Sequence, residues 1–177
     1  MILDPVIEYL QTWKDYKEGD ERVPMLIKTY MIVRNREELK NWRFGPGKQR
    51  GKSKEPMYCA FAATPFSSND WFILRLVKES NNKFAIGFCP DYGIQENSSA
   101  ENQPFTDRRK VIRSALKAIE NSNKVLLKSA PFPQSAPRPH AFKGFETKFT
   151  MPENAEKLAQ KFIDIVLEWE KLFSRII

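Results

Sequence analysis

Lys48, Arg50, Lys52 and Lys54 alternate with Gln, Gly and Ser in a stretch that meets no acid until Glu55, and glycines stand at 45, 47 and 51. Alternating cations on a glycine-rich backbone suit close contact with phosphates, because small residues let the main chain approach while the long side chains neutralise charge. Arg43 stands just ahead of this stretch, and Arg109 and Arg113, with Lys117, recur every four residues, so on a helix they share one side. Trp42, Phe44, Tyr58 and Trp71 lie in or beside the first basic stretch. Aromatic walls stack on unpaired bases and can hold a base turned out of a duplex. Tyr58, Trp71 and Trp42 are therefore the candidate base-pocket residues, with core packing as the competing role for each. Tyr58 and Trp71 are expected near the starts of neighbouring strands beside the basic loop.

Other chemistries are poorly provided for. Gly51-Lys52-Ser53 ends like a phosphate-binding loop, but Pro46 stands where that motif needs a glycine and Pro56 obstructs the helix that should follow. The single histidine, His140, lies in a proline-rich stretch, and Cys59 and Cys89 form no CxxC pair, so neither a zinc site nor a histidine-based triad is expected. The sharpest enzymatic alternative is a Mg²⁺-dependent nuclease of the PD-(D/E)xK type, built on Asp91, Glu146 and Lys148. Against it, a helix and a strand are expected between Asp91 and Glu146. No cofactor and no metal are expected.

The net charge of +7 in 177 residues is unevenly spread. Residues 34–56 hold eight Lys/Arg against three Asp/Glu, and residues 106–150 hold ten against three, whereas the other segments are slightly acidic. Clustered positive charge gains affinity for a polyanion by releasing its counterions. Length and a 41% hydrophobic content suit one domain over 1–177 with one core. No apolar run reaches the roughly 20 residues that span a bilayer, no leader-like start is present, and the cysteines sit in strand-like runs. A cytoplasmic protein without a membrane partner is the expectation.

These residues must be positioned by an α+β fold, a mostly antiparallel sheet packed by N-terminal, central and long C-terminal helices. Asp4-Pro5 predicts a helix start, with Val6, Leu10 and Trp13 on one face and Gly19 as the stop. Residues 23–33 are ambiguous, 34–42 suit a short helix capped by Asn35, and Phe44–Lys54 reads as loop. Met57–Ala63, Trp71–Lys78 and Lys83–Phe88 read as an antiparallel meander. A helix over 107–120 would bury Val111, Ile112, Ala115, Leu116 and Ile119. A strand over 123–129, an irregular Ala130–Pro139, and a strand over Phe142–Thr150 follow. Pro152 opens the last helix, whose stripe Leu158, Phe162, Ile165, Trp169, Leu172 and Ile176 must be buried against the sheet.

The run Glu55-Pro56-Met57-Tyr58-Cys59-Ala60-Phe61-Ala62, the turn at Ser67–Asp70, then Trp71-Phe72-Ile73-Leu74-Arg75-Leu76 and Lys83-Phe84-Ala85-Ile86-Gly87-Phe88, resembles the N-terminal DNA-recognition domain of the McrB family of modification-dependent restriction systems. The likeness extends loosely over residues 40–175. It implies a non-catalytic specificity domain for host defence that binds duplex DNA, flips out a modified, typically methylated, base and holds it in an aromatic pocket at Tyr58 and Trp71. The Gly45–Gly47 loop would enter near the vacated base. A nucleotide-driven motor and a nuclease subunit would be its partners. A protein-interaction module, with the C-terminal helix as the contact, is the third reading.

Overall fold

The computed structural model describes residues 3–16, 19–47, 59–68, 70–89, 111, 114, 134–135 and 145–174. Helix α1 (Pro5–Tyr16) begins where its sequence predicts. The Asp4 carboxylate accepts the N–H groups of Val6 (2.9 Å) and Ile7 (3.4 Å), and Pro5, which has no N–H to satisfy, takes the first helical position. Gly19 follows with φ 86°, a left-handed conformation that glycine enters without strain. The ambiguous segment is helix α2 (Arg22–Val33), which buries Val23, Leu26, Tyr30 and Val33 at helical spacing.

The short helix expected over 34–42 shrinks to one 3-10 turn at Glu37–Leu39, and Trp42 already belongs to a strand. Strand β1 (Trp42–Pro46) also corrects the reading of Phe44 onward as loop. Phe44 packs edge-on against Tyr30 at 5.9 Å between ring centroids, and Pro46 is tolerated because β1 is an edge strand. Strands β2 (Ala60–Pro65), β3 (Trp71–Leu76) and β4 (Lys83–Cys89) form the predicted meander. Two residues of the stretch expected to be irregular form β5 (Gln134–Ser135), which pairs with β6 (Phe145–Thr150). The sheet order is β1-β2-β3-β4-β6-β5, and every neighbouring pair is antiparallel.

Helix α3 (Ala155–Phe173) is capped by Asn154, whose side chain accepts the Lys157 N–H at 2.9 Å; Pro152 lies just upstream of the cap. Of its predicted stripe, Leu158, Phe162, Ile165 and Trp169 are buried and Leu172 is half-buried, Ile176 lies outside the described residues, and Phe173, which the stripe did not include, is buried instead. Phe162 meets Phe61 at 5.3 Å and Phe173 stacks on Phe88 at 4.0 Å between centroids, so the helix lies on the sheet. One hydrophobic cluster joins α1, α2 and α3 to the face bearing Trp42, Phe61, Ala63, Phe72, Leu74, Phe84, Ile86 and Phe88. Alternation assigns Arg43, Gly45, Ala60, Ala62, Trp71, Ile73, Arg75, Lys83, Ala85, Gly87, Glu146 and Lys148 to the second face.

Val111 and Ser114 are helical, within the predicted central helix, but Val111 is 42% exposed rather than part of the core. The remainder of that helix and the strand expected over 123–129 lie outside the described residues. Among the described residues no helix is long and apolar enough to cross a membrane.

Candidate nucleic-acid interface

The basic connection between β1 and β2 leaves the sheet at a fixed stem. The Gly47 N–H donates to the Ala60 carbonyl at 2.9 Å, and the Tyr9 hydroxyl of α1 donates to the Gly47 carbonyl at 3.0 Å. A Cβ on Gly47 would stand 2.4 Å from that of Ala60 and 2.9 Å from its backbone, so this approach needs glycine. Lys48, Arg50, Lys52 and Tyr58, between the two sides of the stem, lie outside the described residues, as do Arg109 and Arg113.

At the other end of β1, the Arg43 guanidinium lies over the Trp71 ring, 5.4 Å from its centroid, and its Nη2 donates to the Ser68 carbonyl at 3.0 Å. The indole lies beside Gly45, where a Cβ would be 3.7 Å away, and packs against Ala60, Ala62 and Ile73 on the second face. Arg43 is exposed and Trp71 half-buried. The β2–β3 turn beneath them is tied down. The Thr64 hydroxyl donates to the Asp70 carbonyl, and the Asp70 N–H donates to Ser68 Oγ at 2.9 Å. Phe66, in the same turn, is 65% exposed.

Of the aromatic pocket candidates, Trp42 and Trp71 are not brought together. Trp42 is buried in the main core, its ring 5.4 Å from that of Phe72, on the helix-covered face opposite Trp71. Tyr58 lies outside the described residues, and Trp71 opens β3. Antiparallel strands begin at opposite ends, and the Cys59 carbonyl, next to Tyr58 in sequence, accepts the Leu76 N–H at 3.0 Å. Trp71 is five residues back along β3, roughly 17 Å of strand.

Glu146 and Lys148 occupy one strand face, as a nuclease reading requires, but the Glu146 carboxylate is engaged by Arg75. Nε donates to Oε2 at 2.9 Å and Nη2 to Oε1 at 2.6 Å, a bidentate pair with side chains 11% and 18% exposed. Asp91 and His140 lie outside the described residues. Among those described, no group of three or more His, Cys, Asp or Glu is placed to hold a metal ion.

One set of cations was not singled out as a group from sequence. Lys148 lies directly beyond Ala85 of β4, Arg75 directly on its other side, and Lys83 two residues along. Alternation within β4 and β6 puts Lys83 and Lys148 on one face in the sequence itself. Their adjacency needs the β4–β6 register, which joins segments more than fifty residues apart.

No protein-family model, no curated protein and no solved structure matches this chain. The fold defines the class as an α+β domain with an antiparallel sheet.

Proposed function

We propose that the chain is a non-catalytic DNA-binding domain, a specificity module for duplexes carrying a modified base. The observation that carries this reading is Arg43, an exposed guanidinium held over Trp71, on the strand that runs four residues later into the pinned start of the basic connection. The ring restrains the guanidinium, and a planar fork of donors suits phosphate oxygens better than a mobile ammonium does. Lys48, Arg50 and Lys52 continue the positive charge from a stem that Tyr9 and Ala60 hold in place. The engagement of Glu146 by Arg75 favours binding over Mg²⁺-dependent cleavage.

The preference for a modified base rests on the sequence resemblance, with Trp71 and Tyr58 as base-facing aromatics. A nucleotide-driven motor and a nuclease subunit would then act on the DNA so marked. The test is an anisotropy titration with unmodified, cytosine-modified and adenine-modified duplexes of one sequence at two salt concentrations. Binding that weakens steeply with salt and is tighter for one modified duplex supports the reading. No binding to any duplex at low salt overturns it.

A further inference from the structure

We propose that Lys83 and Lys148 form a second phosphate-binding strip, on the sheet face that also carries Arg43; this inference rests on the DNA-binding reading. The two are diagonal neighbours across the β4–β6 pair, since Lys83 faces Thr150 and Lys148 faces Ala85. Diagonal positions stand about 7 Å apart, close enough for like charges to oppose each other. Both side chains are exposed, and neither has a carboxylate partner among the described residues. Elsewhere Arg34, Arg36, Lys40 and Lys157 are each paired with an Asp or Glu. Among the described residues, the acid on the same face of β6, Glu146, is occupied by Arg75.

Among the described residues, Arg75, Lys83 and Lys148 lie around buried Ala85, with the Glu146 carboxylate on the Arg75 side. A phosphodiester backbone supplies the missing negative charge. Its charges recur about every 3.4 Å along the axis of each strand, so two lysines about 7 Å apart span two successive steps. The strip also sits at the end of the sheet where the basic connection begins. Gly47 bonds Ala60, Ala60 faces Arg75, Arg75 faces Ala85, and Ala85 faces Lys148. A duplex lying across that end would also pass the Gly47–Ala60 stem.

The experiment compares the full chain with the Lys83→Gln/Lys148→Gln variant in duplex titrations over a series of salt concentrations, with Lys83→Arg/Lys148→Arg as the charge-preserving variant. The expected result is a loss of roughly tenfold in affinity for the glutamine variant on every duplex, and a salt slope lower by about two, one for each phosphate contact. The arginine variant keeps the wild-type slope. If the wild type binds and the glutamine variant matches it in affinity and slope, the strip is refuted while the DNA-binding reading stands. If the wild type binds no duplex, both are refuted. Equal thermal unfolding midpoints for the three proteins show that the loss is one of charge and not of fold.

Discussion

The Gly47 N–H donates to the Ala60 carbonyl at 2.9 Å, across a gap in which a Cβ would lie 2.4 Å from Ala60 Cβ. The obstruction includes backbone, so it cannot be relieved by a side-chain rotation. Gly47→Ala must therefore push β1 away from β2 and from the Tyr9 hydroxyl. The expected cost is on the order of 1–3 kcal/mol, as for other overpacked sites, read as a lower midpoint in urea unfolding. DNA affinity should fall as well, because the stem of the basic connection moves. A Gly47→Ala variant with wild-type stability and affinity would contradict both statements.

Arg43 and Trp71 act as one unit if the ring serves to hold the guanidinium. Arg43→Ala should then weaken binding to modified and plain duplexes alike, and on plain duplexes Trp71→Ala should add little once Arg43 is gone. A double-mutant cycle on binding free energy reads this directly, with a coupling of about 1 kcal/mol expected for a cation held over a ring. A further Trp71→Ala loss confined to the modified duplex is the expected sign of its base-facing role, and equal losses on modified and plain duplexes would refute that role.

Arg22 is 2% exposed and ties the start of α2 to the β3–β4 turn. Its Nη1 donates to the carbonyls of Val77 (2.9 Å), Ser80 (2.5 Å) and Lys83 (3.0 Å), while Nε and Nη2 bond the Asp20 carboxylate. Arg22→Met would leave those carbonyls and Asp20 without this donor in a buried place. About 3–5 kcal/mol of stability should be lost, measured by denaturant unfolding.

Glu146→Gln separates two roles for this carboxylate. As the partner of Arg75, its loss removes a bidentate carboxylate from a largely buried guanidinium, and the thermal midpoint should fall. As a metal ligand, its loss would abolish cleavage. The expected outcome is a less stable protein and no cutting of duplex DNA by wild type with Mg²⁺ or Mn²⁺. Cleavage by the wild type that vanishes in Glu146→Gln would restore the nuclease reading.

Alkaline pH should loosen the contact between the first two helices. The Tyr30 phenol is held above its ordinary pKa of 10.0, mainly by burial, then by its hydrogen bond to the Asp4 carboxylate and by that negative charge, against the opposing pull of Arg34. A raised pKa means that the folded state favours the neutral phenol. This stabilisation is complete below about pH 10 and is lost as pH climbs toward the raised value. Thermal midpoints should drop above pH 10 in the wild type and drop less in Tyr30→Phe, whose stability at neutral pH is lower by about 1 kcal/mol.

The sequence by itself determined the elements whose signals are local. Asp4-Pro5 and Gly19 bracket α1, the four-and-three stripe from Leu158 to Trp169 marks α3, and period-two runs with short turns mark β2, β3 and β4. Each is written in residues that are neighbours in the chain. Residues 23–33 were not decidable alone, because an apolar, partly β-branched run suits either a helix or a strand until Leu26 and Tyr30 find a core. Phe44-Gly45-Pro46 read as loop because its strand character comes from β2 and from the Tyr30 ring, both distant in sequence. The same holds for the site. Composition located the cations and aromatics, but antiparallel register set Trp71 at the far end from the start of β2, and the pleat turned Trp42 into the core. The β1–β2 and β4–β6 registers are fixed by hydrogen bonds between strands that the chain joins only through long connections. Tertiary structure alone therefore decided that Arg43 lies over Trp71, that Glu146 belongs to Arg75, and that Lys83 and Lys148 stand side by side.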